Sequence, residues 1–170
     1  NQVFLLSVSG GEARRLTEAA EGVEFFRWAA DGSGVYFAGH APRPSAERGW
    51  RRRRKETKED ALVVHGEIAA WEIYFQPLTG HARRIIGGVR GLDDFDVSPK
   101  GDLLAYSTNH TGLVEDNDRT EIILREIESG IERRLTGCRG GAEVLPTFTV
   151  DGRFLVYQGW ADPGFAFSRQ

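Results

Sequence analysis

Residues 95–136, FDVSPKGDLLAYSTNHTGLVEDNDRTEIILREIESGIERRLT, hold one complete copy of a pattern that the rest of the chain repeats. Phe95 and Val97 alternate with polar neighbours and lead into Ser98-Pro99-Lys100-Gly101, a turn by composition, after which Leu103 to Thr108 is almost wholly apolar. These two runs read as a hairpin. Beyond a polar loop, Ile122 to Ile127 is a third run, Glu128-Ser129-Gly130 a second tight turn, and Ile131 to Thr136 a fourth strand that carries Arg133-Arg134. Four short strands within 42 residues is the period of one blade of a β-propeller.

Working outward, the same pattern recurs on both sides. Val3 to Val8, a turn at Ser9-Gly10-Gly11 and Ala13-Arg14-Arg15-Leu16-Thr17 copy the second half of the unit, so residues 1–17 read as a half blade. Val23 to Ala29, the turn at 30–33 and Val35 to Ala38 open the next blade, and Trp71 to Pro77, Leu78-Thr79-Gly80 and Ala82 to Ile86 close it. After the central blade, Val144 to Val150, Asp151-Gly152 and Phe154 to Tyr157 form a last opening hairpin. The hairpin glycines Gly32, Gly101 and Gly152 lie 69 and 51 positions apart, and Arg14, Arg83 and Arg133 lie 69 and 50 apart, so two independent landmarks keep one register. The longer first interval is filled by His40 to Ala70, which does not alternate. Ser45 is placed to cap a helix over about 45–60, rich in helix formers.

The fold expected is therefore all-β: a propeller segment of about three blade equivalents that does not close, with one short inserted helix. Its parts are a half blade at 1–17, a blade at 23–86, a blade at 92–136 and a half blade at 142–159. The chain opens inside a strand pattern and has no methionine, which reads as a segment of a longer protein. Strands in such a unit run up and down, so the two hairpin turns of a blade share one face. The other face takes His40 to Ala70, Asn109 to Thr120 and the connections between blades, and it is where binding residues are expected. The paired arginines fall on the outermost strands, where charge discourages pairing with other chains.

Composition narrows the function. A net charge of −3 gives no general attraction for nucleic acid, and no apolar run approaches the roughly 20 residues of a membrane span. The single Cys138 rules out an intrachain disulfide, and the cytoplasm is the expected compartment. His40, His65, His81 and His110 have no metal-ligand spacing, so neither metal nor cofactor is expected. Glu115, Asp116, Asp118 and Glu121 lack the glycine of a calcium loop and read as a solvated loop. The basic run Arg51 to Lys55 is neutralised by Glu56, Glu59 and Asp60. Asn109-His110-Thr111 is a glycosylation sequon by letter.

The repeat of strand, W/F-x-x-D-G turn, apolar strand, loop, apolar strand, G-G or S-G turn and R-R-L-T resembles that of TolB-like propellers. It resembles most the propeller of prolyl-oligopeptidase-family serine peptidases. RWAADGSGVYFAG, VSPKGDLLAYS and TFTVDGRFLVYQG stand at the W-S-P-D-G-like segments, although only Trp28 keeps the aromatic and only Pro99 the proline. RRRRKETKEDALVV is similar to a segment these peptidases insert between propeller strands, and Ala161 to Phe165 (ADPGF) is similar to acylaminoacyl-peptidase-like members. The resemblance implies a C-terminal α/β-hydrolase domain of the same polypeptide that carries the catalytic serine, aspartate and histidine. No residue of this chain is assigned to that triad, because the nearest fragment, Asp31-Gly32-Ser33-Gly34, has the wrong first residue and sits in a hairpin turn. What the resemblance leaves to this segment is to gate peptide substrates or, alternatively, to bind a protein or glycan partner with no enzyme attached. The residues expected to meet substrate or the neighbouring domain are Trp50, Arg51 and Arg52 on the excursion and Glu115, Asp116 and Asp118 on the second loop, with Trp50 as the anchor.

Overall fold

The computed structural model describes residues 1–42, 68–137 and 141–159. The chain is all-β, with four antiparallel sheets of two, four, four and two strands that form an open, propeller-like arc. The first pairs β1 (Phe4–Leu5) with β2 (Arg14–Arg15). The second runs in the order β3 (Phe25–Trp28), β4 (Gly34–His40), β5 (Trp71–Pro77) and β6 (Arg83–Val89). The third is β7 (Leu92–Val97), β8 (Leu103–Thr108), β9 (Glu121–Glu126) and β10 (Glu132–Arg134), and the last pairs β11 (Glu143–Phe148) with β12 (Leu155–Gly159). Among the described residues β1 and β12 do not pair, as expected of an arc too short to close.

Burial on both faces explains why the second strands read as continuous apolar runs. Tyr36, Ala38 and Ile73 of the second sheet meet Phe95, Leu104 and Tyr106 of the third in one core. Val35 and Phe37, one residue out of phase, turn instead to Val3 and Leu16 of the first sheet. Each four-stranded sheet is thus a wall between two neighbours rather than half of a sandwich. The outward faces of the two short sheets carry exposed Phe4, Leu6, Phe154 and Val156.

The R-R-L-T ending has a structural cause. Leu16 donates its N–H to Val3 O while Thr17 Oγ1 accepts the N–H of Val3, and Leu135 and Thr136 repeat both bonds on Ile122. The threonine hydroxyl takes over where the ladder ends, and the fourth strand stops there. In the second sheet Ile86 occupies the threonine position and pairs with Ile73, so β6 runs on to Val89. The sequence pattern ends that strand at Ile86, and the extension follows from the missing hydroxyl. The expected helix at 45–60 lies outside the described residues.

Candidate functional site

The ends of β2, β4, β6 and β8 and the starts of β3, β5, β7 and β9 share the loop-rich face. Its best-built part is the connection between β8 and β9. Asn109 is buried, its Nδ2 donating to Leu113 O and Asn117 Oδ1, both at 2.9 Å, and its Oδ1 accepting the N–H of Gly112 at 2.7 Å. Those bonds fold Val114–Arg119 into a 3-10 helix where the acidic run VEDNDR reads as plain loop. A Cβ on Gly91 would come within 1.7 Å of Asn109 Oδ1, and its φ of +57° is in the left-handed region, so only glycine fits beside that side chain. The sequon at 109–111 is thereby closed in the folded chain, since its acceptor amide is buried and fully engaged.

Of the residues expected at the site, Glu115, Asp116 and Asp118 lie on this 3-10 helix. Asp116 is held by Thr111 Oγ1, which donates to Oδ2 at 2.8 Å, and by Arg119 at 3.7 Å. Trp50, Arg51 and Arg52 lie outside the described residues. The buried Glu121 at the start of β9 accepts from Arg134 Nη1 at 2.8 Å and lies 3.1 Å from His110 Nε2. At the matching place in the preceding blade, Glu72 accepts from Arg84 Nη1 at 2.9 Å and from the Tyr74 hydroxyl. Desolvation by burial, helped by this carboxylate, pushes Tyr74 up to about 12. In the two four-stranded sheets one arginine of the outermost pair is therefore tethered by a buried carboxylate on the neighbouring strand, with Arg83 and Arg133 left to the solvent edge, whereas Arg14 and Arg15 of the first sheet donate to the carbonyls of Leu78 and Thr17.

A second constellation lies on the innermost strands and was not singled out from the sequence. Arg27 Nη2 on β3 donates to both carboxylate oxygens of Asp94 on β7 at 2.7 Å, with its guanidinium 5.7 Å from the Phe95 ring centre. Asp96 lies 4.0 Å from Arg27 Nε and accepts the N–H of Phe148 on β11 at 2.7 Å. One arginine and two aspartates so join the innermost strands of three successive sheets. The signal was the run Asp93-Asp94-Phe95-Asp96, three carboxylates inside a strand pattern. Asp93 itself is bulged out of register, and desolvation of its carboxylate, with the Asp94 charge beside it, raises its pKa.

No family model matches the chain, and no curated protein does. Solved structures do. TolB from Acinetobacter baumannii superposes with a TM-score of 0.61 at 16% identity, covering 92% of this chain and 31% of that one. An oligogalacturonate lyase in complex with manganese gives 0.59 at 16% identity, covering 91% and 36%. The tricorn protease gives 0.52 at 18% identity, covering 86% and 12%. The chain thus has a TolB-like β-propeller fold and spans little more than a third of these structures at most.

Proposed function

We propose that this chain is the non-catalytic propeller segment of a serine peptidase of the prolyl-oligopeptidase family. In this reading its loop-rich face meets a separate α/β-hydrolase domain of the same polypeptide and limits entry to short peptides. The observation that carries it is the unequal use of chain length. Among the described residues one face carries the connections within hairpins, the longest being the eight residues between β1 and β2, whereas the other takes the residue 41–70 excursion and the organised 109–120 connection. The repeat and the hairpin 115–136 resemble this family in sequence, and a protease is among the proteins that share the fold. Gating of this kind is geometric: the segment excludes bulky chains and contributes no group to bond cleavage. Trp50, Arg51, Arg52, Glu115, Asp116 and Asp118 are the contacts assigned to substrate or to the hydrolase domain, and a cytoplasmic location accompanies the reading.

The experiment uses the full-length polypeptide. A fluorophosphonate probe should label one serine outside these residues. Replacing Pro42 to Asp60 by a short glycine linker should raise hydrolysis of long peptides relative to short ones. No labelled serine overturns the peptidase reading, and unchanged length discrimination overturns the role of the excursion. A stand-alone binding propeller is the second reading, favoured by the higher TM-score with TolB, and absence of labelling would leave it in place.

A further inference from the structure

Between the two complete blades lies a groove of about 610 Å³, lined among others by Arg84, Gly88, Arg90, Thr108, His110 and Arg125. We propose that it binds the phosphate group of a small, polar phosphorylated compound, a role independent of any attached hydrolase. Three features converge there. First, Arg90 is exposed and its guanidinium has no partner among the described residues, while Arg84, 62% exposed, spends only Nη1 on Glu72 there. Two guanidinium forks with free donors match a dianion with three terminal oxygens, whereas a single carboxylate would leave one of them unmatched.

Second, the backbone that carries these groups is fixed. Thr108 Oγ1 donates to Arg90 O at 2.5 Å and accepts the N–H of His110 at 3.0 Å, so one hydroxyl pins two residues of the groove lining. His110 is held at φ +61°, a conformation that costs a non-glycine residue about 1 kcal/mol or more and that collects at binding sites. Third, Gly88 is bulged out of the β5–β6 register at φ +82°, and a Cβ there would meet nothing within 4 Å, so bare main chain faces open space beside Arg90. The carboxylates nearby are already committed, Glu121 to Arg134 Nη1 at 2.8 Å with His110 Nε2 at 3.1 Å. Glu132 accepts from Arg125 Nη1 at 2.9 Å and from the Tyr106 hydroxyl at 3.2 Å, and Glu72 sits behind Arg84. The volume exceeds that of a phosphate, and the polar lining suits a sugar-like body.

The test titrates the full chain at low salt with glucose 6-phosphate, with inorganic phosphate and with glucose, by calorimetry. Glucose 6-phosphate should bind saturably and glucose should not. Arg90→Ala should weaken binding roughly tenfold or more, as expected for lost hydrogen bonds to a charged group. Arg133→Ala, the same charge change on a neighbouring solvent edge, should leave it unchanged. Because the Arg90 guanidinium has no partner among the described residues, the variant's melting temperature should stay that of the parent, and Arg90→Gln supplies a second variant should the first misfold. Absence of saturable binding, equal loss in the Arg90 and Arg133 variants, or equal binding of glucose overturns the proposal.

Discussion

Replacing Arg27 by methionine removes the one cation that ties β3 to β7. Asp94, only 9% exposed at its side chain, then keeps the N–H of Phe95 as a donor at 2.8 Å and loses two hydrogen bonds at 2.7 Å. Breaking a fully buried pair costs roughly 3–5 kcal/mol, because the surviving charge is left without its counterion. Arg27 is 36% exposed, so water partly replaces it and the expected cost falls to about 2 kcal/mol. For a chain of this size that corresponds to a melting temperature lower by about 4–8 °C. Equilibrium urea unfolding of the parent, Arg27→Met, Asp94→Asn and the double variant gives the coupling directly. It should be about 1–2 kcal/mol, with the double variant less destabilised than the sum of the singles. A cost below about 0.5 kcal/mol for Arg27→Met together with zero coupling would refute the reasoning, since a solvent-screened surface pair behaves that way.

Thr136→Val keeps the shape of the side chain and removes the acceptor of the Ile122 N–H, so it should cost about 1–2 kcal/mol in urea unfolding. Thr17→Val, at a fully buried site that also donates to Gln2 Oε1, should cost more, and equal or negligible effects would remove the threonine from its assigned role. Tyr74 has an ordinary value of 10.0 and is pushed up to about 12 in the folded chain, so the unfolded chain loses this proton first. The stability it contributes is whole below pH about 10 and is lost as pH rises toward about 12, and Tyr74→Phe should flatten the pH dependence measured in that window. Tyr106, raised by burial and by Glu132, acts in the same direction, so some slope should remain in the Tyr74 variant.

Most of the architecture was legible in residues 95–136 because strand alternation, turn glycines and the R-R-L-T ending recur at one spacing. What escaped rests on which side chains end up buried and paired, whether near or far in sequence. Arg27 and Asp94 are 67 positions apart, and nothing in either segment names the other. The 3-10 helix at 114–119 has few helix formers, and it forms because the buried amide of Asn109 gathers the carbonyl of Leu113 and the side chain of Asn117. The extension of β6 is a different kind of miss. Ile86 was visible as a departure from threonine, but its meaning depends on knowing that the threonine hydroxyl ends the strand. Of the expected contact residues, the acidic three are placed on the loop-rich face, by a helix that composition did not suggest.

The sheet of β3 to β6 has a covered face on each side, with Val35 and Phe37 against the first sheet and Tyr36 and Ala38 against the third. The amides of its inner strand β4 therefore open to solvent only when two interfaces part together, whereas those of β12, whose Val156 to Gly159 are exposed, need only local fraying. In deuterated water the chain should therefore keep time from its middle outward, with the protons of Val35 to Ala38 the last to leave and those of Val156 to Gly159 among the first.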